Sequence, residues 1–243
     1  MVTQPDRPGH RMRLASPPVK VTAESLGLEV YQPERVRAAE VEKRMRSLVP
    51  DLLVVVAYGQ IIPAAVLAIP KLGAVNVHAS LLPRHRGAAP IAHAILAGDK
   101  ETGITIMRMD EKLDHGAVLA TGVTEIGPHE DAVTLTSRLA AMGAELLVET
   151  IPRLEGIEPR EQDHDQATFA PRLSRKDGEL DWEMSPEEID RRVRAFQPWP
   201  GVTLPDPFGQ RMKVLSGRVE GDRYVPERVQ TPGRRAREVR GDA

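Results

Sequence analysis

The chain has 243 residues, 41% of them hydrophobic and 28% charged, which suits a packed core and excludes a wholly disordered chain. Its net charge of -2 excludes a uniformly basic surface, so any contact with nucleic acid has to come from local patches. It has no cysteine, which excludes disulfides, thiolate zinc sites and a thiol nucleophile, and aromatics at 3% disfavour binding by base stacking on many exposed rings.

Residues 4–18 are rich in Pro, Arg and Gly and read as a loop, with Arg7, Arg11, Arg13 and Lys20 set against one acid, Asp6. Helices are expected over 19–26, stopped near Gly27, and over 33–48. Residues 52–57 form a short apolar run, the pattern of a strand buried on both faces. This longest aliphatic run is far too short to span a bilayer, and the N-terminus has no apolar signal core, so a cytoplasmic protein without a membrane partner is expected.

A turn of helix is expected over 63–67, a strand over 73–78, a loop over 81–87 and a helix over 88–97 that stops at Gly98. Strands over 103–109 and 118–126 flank a loop at 113–116. A long helix over 132–154 carries Leu135, Leu139, Met142 and Leu146 on one stripe. Strands alternating with helices predict an α/β domain with a mostly parallel sheet.

Residues 162–171 are polar and irregular. Ser185 should cap a helix over 186–196, with Pro186 in its first turn and Glu188 three residues after the cap. Short strands over 202–204, 212–215 and 218–220 then open a β-rich module. The expected division is 1–180, a linker over 181–200, and 201–243.

The chemistry concentrates around Asn76 and His78. Two residues apart on a strand, they share a face, and Val75 and Val77 point the other way into the core. They sit at the carboxyl end of their strand, where open α/β sheets bind ligands. Two polar residues fraying from a strand end would give the same pattern. The next segment, Ser80-Leu81-Leu82-Pro83-Arg84-His85-Arg86-Gly87, is a tight loop leading into a helix.

The run from Asn76 to Gly87 resembles the signature of the folate-dependent formyltransferases, in which an Asn–His pair precedes Ser-Leu-Leu-Pro. Leu113-Asp114-His115-Gly116 matches the family's Leu-Asp-x-Gly loop and supplies the third residue, Asp114. His115 stands where the family usually has Thr, and Ala117 where it usually has Asp or Pro. The loop from Thr3 to Lys20, and the segments Asp181-Trp182 and Ala195-Phe196-Gln197-Pro198-Trp199-Pro200, resemble the methionyl-tRNA formyltransferase branch.

The resemblance implies a Rossmann-like formyltransferase domain followed by a small, truncated, OB-like β-barrel that binds tRNA. It implies transfer of a formyl group from 10-formyltetrahydrofolate to the amino group of initiator methionyl-tRNA, by a monomer that needs no metal. Asn76 would hold the oxyanion, where losing one donor costs about 3 kcal/mol. His78 would donate to that oxygen, Asp114 would hold His78 or a bridging water, and either His78 or Asp114 would take the amine proton first. Gly59, Gln60, Ile61 and Ile62 would wrap the pterin, and Ser80, Leu81, Leu82 and Pro83 would touch the folate. Ile61 and Ile62 read equally as core. Arg84 and Arg86 read as groups facing phosphate or folate carboxylates, or as plain surface charge. Arg7, Arg11 and Arg13 would meet the tRNA. The remaining histidines His10, His85, His93, His129 and His164 lack ligand spacing.

By the resemblance the same triad suits formyl transfer to an amino sugar nucleotide or formylfolate hydrolysis, against which the basic loop 4–20 argues; glycinamide ribonucleotide formylation is disfavoured because those enzymes lack the C-terminal domain, and an inactive fragment that binds tRNA or folate is a further reading. By the resemblance, a first strand and helix of roughly 30 residues would precede Val2-Thr3-Gln4. Without them the chain is expected to fold poorly or turn over weakly.

Overall fold

The computed structural model describes residues 1–8 and 14–239. Contacts group the chain into two units, Met1–Val77 with Arg108–Lys112, and His78–Met107 with Leu113–Ala243.

In the first unit, β1 (Arg7–Pro8) pairs antiparallel with β2 (Leu14–Ala15). α1 (Pro18–Ser25) opens with Pro in its first turn and ends just before Gly27, whose φ is 69°. α2 (Ala39–Ser47) starts later than the expected 33–48. Tertiary pairing decides this: Val36 N–H donates to Gln60 Oε1 at 2.9 Å, and Val36 packs with Val41 and Met45. Once begun, α2 has Glu40 and Glu42 in its first turn and Arg44 and Arg46 in its last, matching the helix dipole.

β3 (Leu53–Val56) and β4 (Ala74–His78) are parallel, in register from Leu53↔Ala74 to Val56↔Val77, with α3 (Ala64–Leu67) between them. The expectation that 52–57 is buried on both faces is not met. Only Val55 is buried, beside Ile62, Val66, Leu67 and Ala74, while Val54 and Val56 are 37% and 57% exposed. A run of valines specifies a strand by its branched side chains, but burial on a second face needs a neighbour the run cannot supply.

In the second unit, β5 (Arg86–Gly87) precedes α4 (Pro90–Ala97), which ends at Gly98 in the left-handed region. β6 (Glu101–Arg108) and β7 (Val118–Glu125) are antiparallel. Gly103 lets them close up: a Cβ there would lie 1.9 Å from the Gly122 carbonyl oxygen. The α/β pairings are therefore mixed, parallel for β3–β4 and antiparallel for β6–β7.

α5 (Ala132–Thr150) is capped by Asp131, whose side chain accepts from Thr134 N–H at 2.8 Å, and it buries Leu135 and Leu139. It stops short of 154. Pro152 has no N–H for the next α-helical bond, and Ile151–Gly156 tightens into a 3-10 turn. β8 (Phe169–Ala170) pairs parallel with β5. α6 (Pro186–Ala195) has the expected cap, Glu188 N–H donating to Ser185 Oγ at 3.2 Å, and it packs on α4 and on the following sheet.

That sheet contains β9 (Val202–Pro205), β10 (Arg211–Glu220), β11 (Arg223–Gln230) and β12 (Arg237–Glu238), antiparallel in the order β12-β11-β10-β9. The two strands expected at 212–215 and 218–220 are one strand, irregular between Val214 and Gly217. β11 has no sequence signal because Pro226 and four charged or amide side chains interrupt its alternation. Among the described residues no helix is long and apolar enough to cross a membrane.

Candidate active site

β4 carries the polar pair. Asn76 and His78 share one face and are 8% and 5% exposed, with Val75 buried on the other face and Val77 half-buried. An imidazole kept from water needs partners. His78 finds one in the following loop: its Nε2–H donates to the His85 carbonyl at 2.9 Å. That bond fixes the tautomer when the ring is neutral and leaves Nδ1 as the nitrogen that can receive a proton. Nδ1 lies 3.7 Å from Asp114 Oδ1.

The loop that supplies His85 is tied down along its length. Ser80 is fully buried and its hydroxyl donates to Arg84 O at 2.6 Å. Leu82 N–H donates to Thr105 Oγ1, which donates in turn to Ser80 O. His85 has a φ of 58° and is held by three groups: its N–H donates to Thr168 Oγ1, its carbonyl accepts from His78, and its Nε2 lies 2.7 Å from Asp99 Oδ2. Arg84 pairs with the same Asp99 at 2.5 Å.

Gly87 turns the chain with a φ of 125°, and a Cβ there would meet the Ala170 carbonyl oxygen at 2.6 Å. Only glycine fits. Its N–H donates to Asp114 Oδ2 at 2.8 Å, so the carboxylate is held by backbone on one oxygen and faces His78 with the other.

Arg86 corrects the expectation that it faces ligand or solvent. It is buried, and its Nε and Nη2 donate to Gln162 Oε1 at 3.2 and 2.6 Å. Gln162 Nε2 donates to the carbonyls of Asp114 and Gly116 at 3.0 and 2.7 Å. Arg86 Nη2 also donates to His164 Nδ1 at 2.8 Å, and the His164 ring stacks on His115 with centroids 3.9 Å apart. The segment 162–170, which carries no motif, thus laces the loop at 83–88 to the Asp114 turn. No spacing rule marks Gln162, Thr168 or His164, because their partners are far off in sequence.

The remaining expected residues are placed as follows. Gly59 has a φ of 79° and open space around it. Gln60 is engaged, accepting from Val36 N–H and donating to Glu34 O. Ile61 is 87% exposed and Ile62 is in the core. Leu82 is buried, while Leu81 and Pro83 are half-buried. Arg7 is exposed and donates to Gln4 Oε1 at 3.3 Å; Arg11 and Arg13, like His10, lie outside the described residues. Near Arg7, Asp6 accepts from the Gln32 amide and from Lys20, which hold its carboxyl below its usual value. Among the described residues no cluster of three or more His, Asp or Glu is placed to hold a metal ion.

The chain matches the formyl transferase family over residues 1–151 and the formyl transferase C-terminal domain over 172–242. It is 52% identical over 205 residues to the methionyl-tRNA formyltransferase of Geobacter metallireducens, covering 83% of this chain and 66% of that protein. It is 46% identical over 243 residues to that of Geotalea uraniireducens, covering 98% and 77%. The chain thus spans about two thirds to three quarters of the length of these relatives. Among solved structures it is similar to a sugar N-formyltransferase from a Shewanella species, with TM-score 0.66, 19% identity and 83% and 80% of the two chains covered. HypX from Aquifex aeolicus in complex with tetrahydrofolic acid gives TM-score 0.66 at 15% identity, covering 88% and 42%. At these identities the two structures speak to fold alone.

Proposed function

This chain belongs to the formyl transferase family, and on that premise we propose that it moves the formyl group of 10-formyltetrahydrofolate to the amino group of initiator methionyl-tRNA. The observation that carries the reading is the setting of His78, with Nε2 committed to a carbonyl and Nδ1 facing the Asp114 carboxylate.

The amine nitrogen attacks the formyl carbon, the carbonyl oxygen takes the negative charge, and the bond from that carbon to folate N10 then breaks. The amine loses one proton and N10 gains one. Asn76, on the same strand face as His78, offers an uncharged amide donor to the oxyanion. His78 Nδ1 receives the amine proton, and Asp114 supplies the countercharge for a proton held there. Because the Gly87 N–H fixes the other carboxylate oxygen, this countercharge is oriented before substrate arrives.

Gly59 to Ile62 is our candidate for the pterin side, where Ile61 presents an exposed apolar surface to a flat ring. Arg7, Arg11 and Arg13 are the candidate tRNA contacts, in a cytoplasmic monomer. Purified full chain, formyl donor and initiator methionyl-tRNA should yield formyl-methionyl-tRNA, and His78→Ala should lower kcat by at least about a hundredfold. Formylation of an amino sugar nucleotide with none of the tRNA would overturn the substrate, and full activity of His78→Ala would overturn the mechanism.

A further inference from the structure

We propose that Gln162 is a positioning residue for Asp114: its carboxamide sets where the Asp114 carboxylate stands against His78. The inference rests on the formyl-transfer reading above and adds a residue that no motif marks.

Asp114 has a φ of 46°, a left-handed conformation that a non-glycine residue holds only when its surroundings impose it. Gly87 and Gln162 contribute to that hold. Gly87 N–H fixes the side chain through Oδ2, and Gln162 Nε2 fixes the backbone through the carbonyls of Asp114 and Gly116. A primary amide has two N–H donors and one carbonyl oxygen. Both donors serve the Asp114 turn, and the oxygen accepts twice from Arg86, the residue before Gly87. One side chain, 6% exposed, therefore joins the backbone of the Asp114 turn to the loop that binds its carboxylate.

The chemistry specifies glutamine. Glutamate keeps the acceptor for Arg86 but sets oxygen against two carbonyls. Methionine keeps the volume and loses every bond. Asparagine is one methylene short. His164, bonded to Arg86, also stacks on His115 of the same turn.

The experiment compares the full chain with Gln162→Glu and Gln162→Met. A displaced Asp114 should lower kcat by about tenfold to a hundredfold, with the KM values for formyl donor and tRNA within about twofold, because Gln162 is buried with its amide committed to Arg86 and the Asp114 turn. Amide hydrogen exchange reads the same displacement without turnover. The Gly87 amide should exchange faster in both variants, while the amides of α4 and α5 keep their protection. Unchanged kcat and unchanged Gly87 protection would overturn the proposal. So would a kcat loss matched by faster exchange throughout α4 and α5, which marks general destabilisation. Absence of formyl-methionyl-tRNA with the parent chain would instead overturn the formyl-transfer reading, and the Gly87 amide would still decide the role of Gln162.

Discussion

β3 and β4 lie side by side in parallel register, and the more apolar strand is the wetter. β3 is Leu-Val-Val-Val, yet Val54 and Val56 stand in solvent. β4 places an amide and an imidazole on one face and keeps both from water. Hydropathy therefore says what a position tolerates, and neighbours decide where it goes. A polar side chain is taken out of water at a cost that hydrogen bonds must offset. His78 meets that cost through a carbonyl seven residues away, on a loop that is itself held by side chains from 99, 105 and 168. Among the described residues no comparable cover lies over the outer valines of β3. What marks a site for chemistry is the β4 side of the comparison: groups with reactive atoms held dry and oriented.

If Asn76 is buried for chemistry, its loss should show in turnover before it shows in stability. Asn76→Ala is expected to lower kcat by about a hundredfold to a thousandfold, measured by formyl transfer under saturating substrates. A variant that unfolds more readily but retains its kcat would make the residue a packing element and dissolve the contrast with β3.

Packing gives the next effect. Val75, 1% exposed, should cost about 2 kcal/mol when changed to Ala, from the lost transfer energy plus a small cavity. Val56→Ala should cost under about 0.5 kcal/mol. Urea unfolding of the two variants measures the difference directly, and equal costs would mean that the outer face of β3 is covered in solution.

The smallest effect concerns a polar group at the surface of the same unit. The Asp6 carboxyl sits below its usual value, chiefly through the Gln32 amide and next through Lys20. A depressed carboxyl stabilises the fold above its unfolded pKa, about 3.9, and that contribution disappears as pH falls through the lower folded pKa. Asp6→Asn should thus be slightly less stable than the parent at pH 7, with the gap closing as acid takes the pH below the unfolded value and through the lowered folded one. A gap that widened in acid would reverse the assignment.

Sequence alone determined whatever depends on near neighbours. The alternation through Asn76 and His78 put both on one face, Ser185 and Glu188 marked the start of α6, and the Leu-Asp-x-Gly turn named Asp114 by its likeness to a family motif. Each signal has its physical cause within a few residues, so a linear reading finds it. Tertiary structure alone decided that Val54 and Val56 are exposed, that Arg86 is buried, and that a polar stretch without pattern carries Gln162. Gln162 and Asp114 are 48 residues apart in the chain. A hydrogen bond across that distance leaves no periodicity, because it is made by the fold that brings its two ends together.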